Sequence, residues 1–195
     1  MSKITKVIAR QVFDSRGNPT IEAEVSTKYK SATAICPSGA STGTFEAFEK
    51  RDKNNKRYLG KSVLNAIYLV NNKISKKLKG QNVHNQERID SIMINLDGTR
   101  HKTNLGANTI LAVSMAVKKL SAKIKNLPLY KTFLVKNNFQ LPYPLMNIIN
   151  GGVHANNNLR IQEFMIRPDR AKSFSEAMRI CFVVIKNLSK LIKDK

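Results

Sequence analysis

Two short loops of this chain carry side chains that could bind a metal ion or a phosphate. The polar and small residues of the first loop, residues 37–43, are Ser38, Gly39, Ala40, Ser41, Thr42 and Gly43. Small residues let the backbone approach an ion or a phosphate closely, and hydroxyl oxygens suit Mg²⁺. The loop is not a P-loop, because Thr44 rather than the required lysine follows Gly43. Taken alone, such a loop is more often a surface turn.

The second loop, residues 150–155, places His154 shortly after the pair Gly151 and Gly152. An apolar run at residues 161–166 follows, and it contains Gln162 and Glu163. A buried strand would not carry two such polar groups without a reason, since burying them unpaired is costly. We consider these side chains candidate site residues. The alternatives are a satisfied loop histidine and a salt bridge or cap at the end of a strand.

The composition indicates a folded protein with a strongly basic surface. The chain has 195 residues, is 42% hydrophobic and carries a formal net charge of +21. This length supports one good core, or a small domain with part of another, and it excludes a fully disordered chain. The lysines are spread along the whole sequence, which favours a lysine-biased surface over a footprint for nucleic acid or another polyanion.

The cysteines and the amino terminus indicate a soluble, cytoplasmic protein. Cys36 and Cys181 are far apart and lack the Cys-x-x-Cys spacing, so neither a disulfide framework nor a zinc site is predicted. The first residues lead directly into a strand-like alternation, without the apolar core of a signal peptide. No apolar run approaches the length of a membrane span.

Hydrophobic periodicity predicts strands first and helices afterwards. Alternation predicts an antiparallel meander with strands at residues 4–13, 21–26 and 30–36. Helical spacing then predicts helices at residues 63–78, 86–96 and 110–124, with another at 129–135. Three strands followed by segregated helices are typical of an α+β domain.

We expect a domain boundary after residue 136. The predicted α+β domain spans residues 1–136, a linker spans 137–140, and a second unit spans 141–195. Pro142 and Pro144 favour an extended connection into that unit. Buried strands are predicted at residues 145–149 and 161–166, followed by a helix from about residue 172 to residue 192.

Taken together, the order and spacing of these segments closely resemble the enolases, the glycolytic dehydratases of 2-phosphoglycerate. The motifs that carry the resemblance span residues 14–20, 37–43, 96–99 with 106–108, 146–152 and 162–165. They cover essentially the whole chain. The resemblance implies an α+β amino-terminal cap domain, followed by the first β-β-α elements of an incomplete α/β barrel of the TIM type.

The resemblance also implies a role for each candidate residue. Ser41, in the family's mobile metal loop of residues 38–43, would ligate the second Mg²⁺ through its carbonyl and hydroxyl oxygens. His154 would approach the bound phosphoglycerate, and Gln162 would hydrogen-bond this substrate. Glu163 would support the acid that expels the 3-hydroxyl. The substrate and product implied are 2-phosphoglycerate and phosphoenolpyruvate, and the cofactor is Mg²⁺.

Oligomeric state and location follow from the same resemblance. Arg10 and Glu22 are similar to dimer-contact positions of a homodimeric family, although exposed charges on a strand are the simpler interpretation. A cytoplasmic protein is implied, with a cell-surface or secreted pool as the family's alternative. Three features depart from the family pattern: His101 stands where asparagine is usual, Arg160 adds charge beside the second predicted barrel strand, and the large positive charge is unlike the acidic or neutral members expected.

The resemblance implies that the catalytic machinery is incomplete in these residues. The family's base, general acid and main Mg²⁺ carboxylates have no matching motif here. A closed barrel takes about 250 residues, whereas residues 141–195 supply two strands and one helix. We therefore expect an inactive isolated chain with exposed strand edges and a half-covered helix. The alternatives are a polyanion-binding derivative of an enolase and one half of a split enzyme that a second chain complements.

Overall fold

A computed structural model describes residues 2–39, 43–133 and 139–194. The chain divides into two compact units, residues 1–135 and residues 136–195. The two units differ in architecture, the first being a sheet covered by helices and the second a strand pair followed by a long helix. Each unit is therefore described separately.

The first unit begins with the predicted three-stranded antiparallel meander. Its strands are β1 (Lys6–Phe13), β2 (Pro19–Ser26) and β3 (Ser31–Cys36), with β2 in the centre. Alternate residues of β2 point into the core, and Ile21, Ala23 and Val25 are fully buried there. The period-two pattern of the sequence is therefore confirmed as a sheet with one face packed on a core.

Helices cover the inner face of this sheet, and the third of them along the chain packs mainly on the fourth. They are α1 (Leu64–Leu69), α2 (Ser75–Leu78), α3 (Gln86–Asp97) and α4 (Ala107–Ile124). The buried face of α4 includes Val113, Val117 and Leu120, as its spacing predicts. The helix predicted at residues 129–135 is instead a short 3₁₀ turn, Leu129–Thr132, and residues 134–135 of that prediction lie outside the described residues.

The predicted helix at residues 63–78 is confirmed as a helical segment, but it is not uniformly α-helical. A π-helical turn, Val70–Ile74, joins α1 to α2. Within this turn, the side-chain amide of Asn71 contacts the edge of β1 away from β2. Asn71 Oδ1 accepts a hydrogen bond from the backbone N–H of Ala9 at 2.7 Å, and Nδ2 donates to the carbonyl of Ala9 at 3.2 Å. This amide therefore satisfies both backbone groups of one edge-strand residue.

Replacing Asn71 with alanine should lower the free energy of unfolding by about 1–3 kcal/mol, because the partly buried N–H and carbonyl of Ala9 lose their partners. The neighbouring Asn72→Ala is the matched control, since Asn72 is exposed and donates only to the carbonyl of Tyr68. Equilibrium urea unfolding measures both losses. Equal losses for the two variants would contradict this role of Asn71.

The second unit has the predicted β-β-α order. Strands β4 (Met146–Asn150) and β5 (Glu163–Ile166) pair antiparallel, with an irregularity between Asn147 and Ile149. Helix α5 (Phe174–Lys193) begins at Ser173, whose hydroxyl accepts a hydrogen bond from the N–H of Glu176 at 3.1 Å. The fold predicted from the resemblance, an α+β domain followed by the first elements of a barrel, is confirmed.

The prediction of buried strands in the second unit is wrong. Phe164 and Met165 of β5 are 39% and 51% exposed, and β4 is at most half-buried. The physical reason is that no second layer covers this strand pair among the described residues. Helix α5 buries only Ala177 and Cys181, as expected for a half-covered helix. Its exposed apolar side chains are Phe174, Met178, Phe182, Val183, Val184, Leu191 and Ile192.

None of the helices in the described part of the chain combines the length and the apolar character that crossing a bilayer requires.

Candidate active site

Three of the predicted site residues meet at the end of the β4–β5 pair. His154 Nδ1 lies 3.0 Å from Glu163 Oε1, and His154 Nε2 lies 3.0 Å from Gln162 Nε2. The side chains of His154 and Glu163 are 22% and 31% exposed. The imidazole is therefore held between a carboxylate and an amide in a partly buried position, where hydrogen bonds to a charged group are stronger than in water.

The local backbone brings these side chains together. Asn150 and Glu163 are paired at the end of the two strands, and the loop between them folds back on itself. The N–H of Gly151 donates to the carbonyl of Gln162 at 2.8 Å, and the N–H of Gly152 donates to the carbonyl of Leu159 at 2.8 Å. These contacts place the short turn that carries His154 directly beside residues 162 and 163.

Gly151 is required by this close approach. A Cβ atom at residue 151 would lie 2.3 Å from the carbonyl oxygen of Ile161 and 2.7 Å from Cβ of Leu159. Both distances are far inside van der Waals contact. Glycine is needed at this position because the backbone and side chain of neighbouring loop residues leave no space for a Cβ atom.

The contacts of His154 assign a tautomer to the imidazole. Glu163 can only accept when ionised, so the proton lies on Nδ1, which donates to Glu163 Oε1. Nε2 is then the acceptor of the N–H of Gln162. This assignment follows from the hydrogen-bond network, as is usual for histidine protons. A ligand that displaced the Gln162 amide would meet His154 Nε2, and the exposed Gln162 would be free to bind the ligand as well.

The first candidate loop belongs to the other unit. The hydroxyl of Ser38 donates to Glu49 Oε2 at 2.9 Å, and the N–H of Gly43 donates to Glu46 Oε1 at 2.9 Å. Gly39 lies beside Ser38 on the wall of a cleft of about 520 Å³. Ala40, Ser41 and Thr42 lie outside the described residues. The role predicted for Ser41, and the combination of both loops into one site, stay predictions.

The described residues do not fit a resident Mg²⁺ site. They contain no group of three or more histidine, cysteine, aspartate or glutamate side chains placed to hold a metal ion. Oxygen donors of the right type do occur beside the first loop, but they are already paired. Glu49 accepts from Ser38 through one oxygen and from Arg51 Nη2 through the other, at 2.9 and 2.8 Å. Two carboxylates alone do not provide the six oxygens that Mg²⁺ prefers.

Cys36 lies in the wall of the same cleft, and its environment makes the thiol unreactive. Burial, followed by the nearby charge of Glu49, raises the pKa of Cys36 to about 11. The thiolate is the reactive form of cysteine, so a raised pKa disfavours nucleophilic chemistry. Cys36 and Cys181 are both free and buried.

Sequence reasoning missed the residues that hold the first loop. Arg16, Glu46 and Glu49 contact this loop, and Arg51 contacts Glu49. Arg16 lies in the β1–β2 turn, more than twenty positions before the loop, so no local spacing predicts the contact. The nearest signal is the pair of glutamates that follows the loop, at residues 46 and 49.

Comparison with known families decides where the chain belongs. Residues 4–133 match the enolase N-terminal domain, and residues 138–195 match the enolase C-terminal TIM barrel domain. The chain belongs to the enolase family. The resemblance seen in the sequence motifs is therefore confirmed, and the β4–β5 pair with α5 corresponds to the opening elements of the enolase barrel.

Similar proteins agree with this assignment. The chain is 81% identical to an enolase of Pelagibacter ubique over 195 residues, which cover 100% of this chain and 47% of that protein. It is 56% and 55% identical to enolases of Methanococcus vannielii and Methanococcus maripaludis over 193 residues, covering 98% of this chain and 45% of each relative. The chain thus spans about half the length of these curated relatives.

Proposed function

We propose that this chain supplies part of the active site of an enolase, which dehydrates 2-phosphoglycerate reversibly to phosphoenolpyruvate in glycolysis. The observation that carries the proposal is the contact of His154 with both Glu163 and Gln162 in the first strand pair of an enolase barrel. These groups provide one carboxylate, one imidazole and one amide at the end of two strands. Such a set can bind and orient a polar, anionic substrate.

Each residue of this cluster has a distinct part in the proposal. His154 presents Nε2 to the substrate once the Gln162 amide moves to the ligand, and protonation there would let it donate to the phosphate. Gln162 contributes a neutral donor and an acceptor that need no proton exchange. Glu163 holds the imidazole and supports the acid that expels the 3-hydroxyl. A proton donor near the departing hydroxyl lowers the barrier by stabilising the charge that develops there.

We propose Mg²⁺ as the cofactor because the chain belongs to the enolase family. If bound, Mg²⁺ would supply positive charge beside the substrate carboxylate when the neighbouring proton is removed, and enolase chemistry is itself the standard example of this. We expect Ser41 to be one ligand. The base, the general acid and the main metal carboxylates are expected from the part of the enolase barrel outside the matched residues. These 195 residues alone should therefore not turn over.

A fusion experiment tests this proposal. The chain is joined after Lys195 to the remaining part of the 81% identical Pelagibacter ubique enolase, and phosphoenolpyruvate formation is measured with excess Mg²⁺. We expect activity in the fused enzyme and none in the 195-residue chain, because the base and the metal carboxylates are supplied only by the fusion. A folded but inactive fusion would contradict the proposed function. If the 195-residue chain alone were as active as the fused enzyme, the proposal that its active site is incomplete would be wrong.

Dimerisation, location and domain boundaries remain parts of the proposal. Arg10 Nε lies 2.9 Å from Glu22 Oε1, and Arg10 also contacts Glu24, so its guanidinium is paired within the chain. A homodimer that used these residues would have to share or replace those ion pairs.

We further propose a cytoplasmic protein, with a cap domain at 1–136, a linker at 137–140 and the start of the barrel at 141–195.

The alternative of a polyanion-binding protein is not favoured by the comparisons, since the relatives named above are all enolases. The positive charge is compatible with a lysine-biased surface. The ion pairs found among the described residues use arginine or histidine as the cation, so no lysine charge there is neutralised by a carboxylate within 4 Å. A complementing second chain stays a prediction, and co-purification would test it.

A further inference from the structure

The sequence contains a single Asn-Gly pair, Asn150 and Gly151, at the end of β4. Asparagine followed by glycine is especially prone to deamidation, because glycine has no side chain to hinder the approach of its own amide nitrogen to the asparagine side chain. Asn150 is exposed, so water can reach it. The residue types therefore predict a chemical modification at this position, unless the fold prevents it.

Deamidation of this pair takes place in two steps. The Gly151 nitrogen attacks the side-chain carbonyl carbon Cγ of Asn150, and a C–N bond forms. The side-chain amide leaves as ammonia, with the proton that the Gly151 nitrogen gives up. Water then breaks one of the two C–N bonds of the cyclic imide, which leaves aspartate or isoaspartate at residue 150. Ring closure therefore requires a Gly151 nitrogen that can turn towards Cγ.

The structure holds this nitrogen in the strand pair. The N–H of Gly151 donates to the carbonyl of Gln162 at 2.8 Å. Asn150 is paired with Glu163, and an extended residue has to rotate about its Cα–C bond before the five-membered ring can close. The surroundings of Gly151 leave little space for that rotation, since a Cβ atom there would lie 2.3 Å from the carbonyl oxygen of Ile161. The strand pairing thus opposes the first step.

Asn150 is held by hydrogen bonds as well. Its Oδ1 accepts from Asn147 Nδ2, and its backbone carbonyl accepts from Asn157 Nδ2 at 3.0 Å. The Asn157 amide is itself fixed, because its Oδ1 accepts from the N–H of Leu159 at 3.1 Å. The carbonyl of Asn150 and the N–H of Gly151 belong to one planar peptide group, so both polar groups of this plane are bound. The plane cannot rotate until both hydrogen bonds break.

We infer that Asn150 is a deamidation site that the pairing of β4 with β5 keeps closed, and that it loses ammonia when this end of the strand pair opens. The reaction would add a carboxylate directly opposite Glu163. Like charges at opposite positions of paired strands are destabilising, so the product would weaken the pairing that protects Asn150. The inference is independent of the proposed function, because it concerns the covalent stability of the chain.

A second Asn-Gly pair in the same chain provides the test. Asn55→Gly places one after Asn54 in an exposed turn, where the N–H of residue 55 has no hydrogen-bond partner in the described part of the chain. The folded variant is incubated at mildly alkaline pH, and peptide mass spectrometry follows the exchange of NH₂ for OH at both positions. We expect Asn54 to deamidate about tenfold to 10³-fold faster than Asn150, because three hydrogen bonds have to be lost at Asn150.

Unfolding in urea provides the matched control. Without the strand pair, the rate at Asn150 should rise by about tenfold to 10³-fold and become similar to the rate at Asn54. The unmutated chain should show the same rise at Asn150, which keeps the test decisive if Asn55→Gly folds poorly. Deamidation of Asn150 as fast as that of Asn54 in the folded variant would overturn the inference. A rate at Asn150 that urea does not raise would overturn it as well.

Discussion

Replacing Glu163 with glutamine in the fused enzyme should lower kcat for phosphoenolpyruvate formation by about 10²–10⁴-fold. Glu163 Oε1 accepts the Nδ1 proton of His154, and this contact sets the tautomer in which Nε2 is an acceptor. A glutamine of the same shape can present its NH₂ group instead, which would place the proton on Nε2. It also removes the negative charge that stabilises the imidazolium when His154 is protonated. Both effects act on the proton-transfer step, so kcat should fall more than KM rises.

The matched control for this substitution is Glu176→Gln. Glu176 lies in the first turn of α5 in the same unit, where its Oε2 accepts from the N–H of Lys172 at 2.8 Å. It contacts none of the three site residues. Steady-state kinetics with saturating Mg²⁺ should show a loss only for the Glu163 variant. A Glu163→Gln enzyme within twofold of the unmutated rate, or an equal loss in Glu176→Gln, would contradict the role proposed for this pair.

Replacing Gly106 with alanine should lower the free energy of unfolding of the first unit by about 2–5 kcal/mol. Gly106 precedes α4 with φ +94° and ψ 137°, a conformation that residues with a Cβ atom rarely adopt. A Cβ atom there would lie 2.5 Å from Cβ of Lys50 and 2.7 Å from Oδ1 of Asn108. Asn108 cannot move easily, because its amide pairs with both the N–H and the carbonyl of Lys50. The variant therefore combines backbone strain with a steric clash.

Gly80→Ala separates these two contributions. Gly80 also has a positive φ, +84°, but a Cβ atom there would have nothing within 4 Å. The free energy of unfolding of Gly80→Ala should fall only by the contribution of backbone strain, about 1–2 kcal/mol. Equilibrium unfolding in urea, followed by circular dichroism, measures both variants. If Gly106→Ala lost no more stability than Gly80→Ala, the proposed close packing against Lys50 and Asn108 would be wrong.

The sequence predicted the elements whose signal is local. Alternation along residues 21–26 predicted β2, because a sheet with one buried face needs apolar residues at every second position. Steps of three and four predicted α4 and the helical segment from residue 63 to residue 78, because only one stripe of such a helix faces the core. The motifs also identified the family, since they lie in order along the whole chain.

The burial of β4 and β5 shows where local signals were insufficient. Their apolar residues predicted buried strands, but Phe164 and Met165 are well exposed. A strand is buried only when another layer covers it, and the described residues provide no such layer. The 3₁₀ turn at residues 129–132, predicted as part of a longer helix, is a similar case. The apolar pattern of a segment identifies the face that is suited to burial, but it does not show whether another element of the protein covers that face.

The amino-acid sequence by itself therefore determined the sheet, the helices and the set of residues that could bind a substrate. Tertiary structure alone decided which polar groups meet: Asn71 with the edge of β1, Arg16 with the carbonyls of Ser38 and Gly39, and His154 with Glu163. The physical reason is the separation along the chain of the residues that produce each signal. Periodicity arises from neighbours a few residues apart, whereas a hydrogen bond between distant residues depends on how the whole backbone brings them within about 3 Å.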